Sequence, residues 1–73
     1  MYRIKKIQVA GENCLLVEFL DGKTKTVNLT SLLDKGIFSQ LKDPNYFQLL
    51  RNNDYFIAWP NDQELSADTL YYS

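Results

Sequence analysis

The sequence predicts an α+β fold: a small antiparallel sheet, built from an N-terminal three-strand meander and a later hairpin, with short helices between them. Three observations carry this. Cys14-Leu15-Leu16-Val17-Glu18-Phe19-Leu20 is the strongest strand signal, being rich in apolar and aromatic residues that suit a half-buried pleated surface. Asp21-Gly22 follows directly, and glycine supplies the positive φ that a tight hairpin turn needs. From Tyr55 to Tyr71 an aromatic strand passes through a polar turn into a capped helical turn, and Pro60, which has no N–H for a ladder, ends that strand at Trp59.

Taken in order, residues 2–10 read as a first strand whose phase shifts. Ile4 lies on one parity, Ile7 and Val9 on the other, so a bulge near Lys5-Lys6 is expected. Gly11-Glu12-Asn13 has turn chemistry. In the second strand Leu15, Val17 and Phe19 form one face, while Cys14, Leu16 and Glu18 form the other. The Asp21-Gly22 connection leaves two registers open. A two-residue loop sets Glu18 opposite Lys25 and Leu16 opposite Val27, whereas a three-residue loop with Gly22 in a bulge sets Leu15 opposite Val27. Thr24 to Leu29 is the third strand.

Thr30 reads as the N-cap of a short helix over residues 31–35, which Gly36 ends in the left-handed conformation. Ile37, Phe38 and Leu41 recur at helical spacing. Asp43-Pro44 marks a second start, with Asp43 as cap and proline in the first turn, where its missing N–H costs nothing. The apolar run Tyr46, Phe47, Leu49, Leu50 fits a helical turn entering a strand near Phe47. Asn52-Asn53-Asp54 would then turn the chain into the strand Tyr55 to Trp59, giving a hairpin over about 47–59. Asn61-Asp62 is a further tight turn, and Ser66 caps a last helical turn with Asp68 near its N-terminus. Leu70 and one of Tyr71 or Tyr72 should return to the core. No repeat, linker or domain boundary interrupts the chain, so residues 1–73 read as one domain.

Composition narrows the function. A chain of 73 residues buries only about 60% of the surface its unfolded form exposes, so each large apolar side chain matters to stability. The net charge of −1 gives no general attraction to phosphate, so any basic site must be a local patch. With one cysteine, Cys14, and no histidine, an internal disulfide, the common zinc sets and histidine-assisted nucleophiles are all out of reach. Neither a signal peptide nor a membrane span is expected, and a cytoplasmic location follows as the default.

Phe19-Leu20-Asp21-Gly22, Val27-Asn28-Leu29 with Leu33, Gly36-Ile37-Phe38, Leu41-Lys42-Asp43-Pro44 with Phe47, Ile57-Ala58-Trp59-Pro60, and Glu64-Leu65-Ser66-Ala67-Asp68-Thr69-Leu70-Tyr71 occur in an order and spacing that resemble the small bacterial domain of unknown function 2442 family. The resemblance runs from about Ile4 to Tyr71. It implies a compact α+β domain of two small antiparallel units joined by short helices; no activity is established for the family, so it carries over no catalytic residue. It also implies that relatives stand alone, precede helix-turn-helix domains or lie beside toxin-like genes, which suggests the small partner of a toxin-antitoxin-like or transcription-associated pair. Two positions depart from the family pattern. Asp62 stands where relatives often have glycine, and Ala67 where they often have proline, so both positions serve backbone geometry.

Two sets of residues are candidates for binding. Arg3, Lys5 and Lys6 on the first strand, with Lys23 and Lys25 on the third, would make a basic face for nucleic acid if the outer strands flank the second, with Tyr2 or Tyr55 beside it to stack on bases. The plainer reading is that these lysines keep sheet edges from further pairing. One Trp, five Tyr and four Phe exceed what so short a chain can bury, so a residual patch with Tyr55, Tyr71 and Tyr72 at its rim would suit a protein partner or a homodimer. Asp62, Glu64 and Asp68 do not match a calcium loop, and turn and capping duties account for Asp62 and Asp68. No enzyme, cofactor, metal or small-molecule substrate is therefore expected. The leading expectation is a non-enzymatic protein-interaction or regulatory module, with nucleic-acid binding as the alternative.

Overall fold

A computed structural model of the chain describes all residues, Met1–Ser73. It contains two three-stranded antiparallel sheets. The first has the order β1-β2-β3, with β1 at Ile4–Gly11, β2 at Cys14–Phe19 and β3 at Thr24–Asn28. The second has the order β4-β5-β6, with β4 at Arg51–Asn52, β5 at Phe56–Ala58 and β6 at Glu64–Ser66. Between the sheets lie two 3-10 segments, Thr30–Leu32 and Gly36–Lys42, and helix α1 at Pro44–Phe47. Helix α2, Ala67–Tyr71, follows β6.

The expected bulge in β1 is present as a register shift between Ile4 and Lys6. It lets Ile4, on the opposite parity from Ile7, face the same side of the sheet. Leu15, Val17 and Phe19 are buried, as their alternation requires. Of the two registers left open at Asp21-Gly22, the structure has the one with Leu15 opposite Val27. The Phe19 N–H donates to Lys23 O at 2.8 Å, the Gly22 N–H donates to Phe19 O at 3.0 Å, and Gly22 takes φ +93°. The connection between β5 and β6 repeats this geometry. Trp59 N–H donates to Gln63 O at 2.9 Å and Asp62 N–H to Trp59 O at 3.2 Å, with Asp62 at φ +72° in the place of Gly22.

Several boundaries differ from the sequence reading. Thr30 is not a cap: the first 3-10 segment starts from Leu29, whose side chain cannot cap, and Asn28 Oδ1 instead accepts from the Thr30 N–H at 2.8 Å. Gly36 does take a left-handed φ of +48°. Ile37 points to solvent while Leu41 is buried, because the tighter 3-10 winding rotates positions differently from an α-helix. Asp43 caps α1 by accepting from the Asn45 N–H at 2.9 Å, with Pro44 in the first turn. Phe47 stays in that helix, so the second sheet begins at Arg51 and not at residue 47. The turn into β5 is correspondingly shifted to Asp54-Tyr55, with Asp54 at φ +74°. Finally, β6 turns the expected hairpin into a three-stranded sheet. Its sequence, Glu64-Leu65-Ser66, has one apolar residue, and only the pairing of Leu65 with Ile57 makes it a strand.

One interior serves both sheets. Ile4, Leu15, Val17, Phe19, Val27 and Leu29 from the first half meet Leu33, Leu41, Phe47, Ile57, Trp59, Leu65, Ala67 and Leu70. Trp59 stacks on Phe47 with ring centroids 6.0 Å apart, and its Nε1–H donates to Phe47 O at 2.8 Å. Gln63 is the one buried polar residue, and its amide is fully paired. Tyr46 Oη–H donates to Gln63 Oε1 at 2.7 Å, while Gln63 Nε2 donates to Ile37 O at 2.8 Å and to Gln40 Oε1 at 3.1 Å. The sheets are joined at their rims, where Ile4 N–H donates to Asp54 O at 2.7 Å and Asn52 Nδ2 to Ile4 O at 3.0 Å.

Two outcomes follow for urea unfolding monitored by circular dichroism. Trp59→Phe leaves Phe47 O without its donor in the core and should lower stability by about 1–3 kcal/mol, seen as a lower midpoint at unchanged slope. Asp62→Gly relieves a left-handed side chain in a turn where Gly22 already shows the preferred solution, and should raise stability by roughly 0.5–1 kcal/mol.

Candidate interaction surface

The tyrosines gather because α2 lies over the end of the first sheet. Ser66 Oγ caps α2 by accepting from the Thr69 N–H at 3.0 Å, and Leu70 anchors the helix in the core. That places Tyr71 against Phe19, edge to face at 4.8 Å. Asp68, in the first turn of α2, accepts from the Tyr2 N–H at 2.8 Å and so holds the N-terminal segment beside the helix. Tyr2 then stacks on Tyr71 with centroids 3.6 Å apart and planes 10° from parallel. Tyr72 stands across the Tyr2–Tyr71 stack, sharing a 2.8 Å hydrogen bond between its hydroxyl and that of Tyr2.

The β2-β3 hairpin closes the other side. Tyr71 Oη–H donates to Asp21 Oδ2 at 3.0 Å, and the Lys23 ammonium lies 5.0 Å from the Tyr71 ring centroid. Lys25 Nζ donates to Tyr71 O at 2.8 Å and to Ser73 O at 2.6 Å, placing a cation at the C-terminal end of α2, where helix carbonyls lack partners. Beyond Tyr2, Arg3 pairs with Asp54 through one guanidinium edge, Nε donating to Oδ1 and Nη2 to Oδ2, and covers the Tyr55 ring at 5.2 Å. Tyr55 O in turn accepts from the Ala67 N–H at 2.8 Å, so Tyr55 belongs to the same end of the molecule as α2. Tyr72 is 74% exposed and Tyr55 45% exposed, whereas Tyr71 is half-buried. The structure therefore joins Tyr71 and Tyr72 through Tyr2, with Tyr71 as the support and Tyr72 as open surface, while the exposed Tyr55 ring stands apart under Arg3.

The basic residues are divided. β1 and β3 do flank β2, but Lys6 and Thr24 sit opposite Glu18 on the outer face of the sheet, and Lys5 Nζ lies 3.6 Å from Glu18. Lys25 sits opposite Val17, on the face that covers the core. Arg3 is bound to Asp54, and Lys23 and Lys25 are turned toward Tyr71. The five cations thus do not form one face. In the acidic set, Asp62 occupies the left-handed turn, Glu64 is exposed on β6 and Asp68 holds Tyr2. Cys14 is half-buried opposite Asn28.

Tyr2, which sequence reasoning set only beside the basic face, is the ring at the centre of this cluster. It lies 70 residues from the hydroxyl it meets, and no local pattern reports a contact of that span. Its hydrogen bond with the Tyr72 hydroxyl, with partial burial adding to it, pushes the Tyr2 phenol up to about 12. The Asp21 carboxyl is held below the usual range chiefly by the Lys23 backbone N–H, and the Asp54 carboxyl chiefly by the Arg3 guanidinium.

These shifts set the pH limits of the cluster. The neutral Tyr2 phenol is favoured by folding, so its contribution is complete below the ordinary tyrosine range near 10 and is lost as pH rises toward about 12. Absorbance titration of phenolate should show one tyrosine ionising late, and Tyr2→Phe should remove that late step. Asp21 and Asp54 act oppositely: their contribution is complete above the ordinary carboxylate range and is lost as pH falls through their depressed values.

In comparisons with known proteins, no curated protein and no solved structure matches the chain. Residues 4–73 match the family described as "Protein of unknown function (DUF2442)". With nearly its whole length matched, and with the two small antiparallel sheets and short helices described above, the chain belongs to the DUF2442 family.

Proposed function

We propose that this protein is a non-enzymatic interaction and regulatory module that binds a partner protein through its tyrosine-rich end. The observation that carries this reading is the preorganised cluster of Tyr2, Tyr71 and Tyr72, with Arg3 and Tyr55 at its margin. Tyrosine and arginine dominate the energetics of protein interfaces, because a rigid ring contributes much contact area at a low cost in side-chain entropy. Here stacking and the Asp21, Asp68 and Lys25 contacts fix the rings beforehand, so little ordering remains to oppose binding. Nucleic-acid binding gains less support, since Arg3, Lys23 and Lys25 are already engaged within the chain.

The test is co-expression with the product of a gene flanking this one, followed by titration of the purified pair. Tyr72→Ser together with Tyr55→Ser should weaken the complex by about tenfold or more while the chain itself stays folded, as expected for exposed aromatic rings that a partner covers. A partner held with equal affinity by this variant would overturn the reading.

A further inference from the structure

The outer edge of β3 differs from every other strand edge in the molecule. β1 is bulged near both ends, and Asn52 Nδ2 covers Ile4 O on its open side. β4 has two residues, and β6 has three with an exposed Glu64 among them. β3 is five residues long and regular, with an unbroken register against β2. Its ladder is anchored by Phe19 N–H to Lys23 O at one end and Leu29 N–H to Asn13 O at the other, both 2.8 Å. Bonded pairs alternate in an antiparallel ladder, so Lys25 and Val27 bond to β2, while Thr24, Thr26 and Asn28 turn their N–H and C=O groups outward. An edge of this kind is a template for another strand unless it is guarded. The residues that could guard it, Lys23 and Lys25, are folded inward onto the Tyr71 ring and the Tyr71 and Ser73 carbonyls.

We propose that the β3 edge pairs with β3 of a second copy of this chain, in antiparallel register about a two-fold axis at Thr26. This goes beyond the partner reading above and uses a different surface. The outward residues are placed evenly about Thr26, so Thr26 meets Thr26 of the other copy and Thr24 meets Asn28, and each outward N–H faces an outward C=O. All three residues are neutral, so no like charges oppose one another across the seam. The two sheets then become one six-stranded sheet, and the isologous contact closes without leaving this edge free. A five-residue seam is short beside stable interfaces, which bury roughly 1,200–2,000 Å², so the dimer should be weak and come apart on dilution.

Sedimentation velocity over a dilution series tests this. The wild-type chain should move from dimer to monomer on dilution. Thr26→Pro removes an N–H that makes no bond within the chain, so it should be monomeric throughout, with Trp59 fluorescence of the folded state retained. Thr26→Lys, which restores an outward edge guard, should behave alike and serves if the proline variant fails to fold. The Tyr55→Ser, Tyr72→Ser variant should keep the wild-type dimer. A wild-type chain that is monomeric at every concentration would overturn the proposal. So would a dimer abolished by the tyrosine changes but not by those at Thr26, or a mass that rises without limit.

Discussion

Neither three-stranded sheet in this protein has a second layer of its own, and each must use the other to exclude water. The fourteen side chains of the core come from both halves of the chain, with Leu33, Leu41 and Phe47 of the connecting segment filling the space between. In so short a chain this shared interior is the condition on which everything else rests, because the apolar area on either sheet alone would not offset the entropy lost in ordering it. It explains why the sheets are stitched at Ile4, Asn52 and Asp54, and why Gln63 can be buried. A polar amide deep in a small core is tolerable only with its hydrogen bonds made, and Tyr46, Gln40 and Ile37 make them.

The same closure produces the tyrosine end. Packing Leu70 into the core fixes α2 over the end of the first sheet, and the rings of Tyr2, Tyr71 and Tyr72 stack where the two ends of the described chain meet. The cluster couples the N-terminal segment, the β2-β3 hairpin and α2 through contacts that span 46 to 70 residues. Rings held in this way are stiff, which on the function proposed above would leave little ordering to oppose binding. The cations that could have formed a separate site are used in building this one: Lys25 at the carbonyl end of α2, Lys23 on Tyr71, Arg3 on Asp54. That use also leaves the β3 edge open.

The two sharp hairpins show a common backbone solution reached with different residues. Gly22 and Asp62 occupy equivalent left-handed positions, one residue before the ladder resumes. Glycine takes this conformation freely, while aspartate does so against a steric cost that the surrounding ladder must outweigh. Asp62 is thus a marker of chain geometry. Its nearest acidic companions in sequence, Glu64 and Asp68, have unrelated surroundings.

What the sequence by itself determined was local. The alternation of Leu15, Val17 and Phe19, the bulge implied by Ile4 against Ile7, and the Asp43-Pro44 and Ser66 helix starts all follow from period, backbone freedom and capping chemistry within a few residues. The tertiary structure decided what depends on distant partners. Glu64-Leu65-Ser66 carries too little apolar pattern to read as a strand and becomes one only beside Ile57. Phe47 could have begun a strand until its carbonyl met the Trp59 indole. Tyr55, Tyr71 and Tyr72 could be named as surplus rings from composition, but the union of Tyr71 and Tyr72 with Tyr2 and the turning of Lys25 onto α2 could not, because those contacts bridge most of the chain and leave no trace in neighbouring residues.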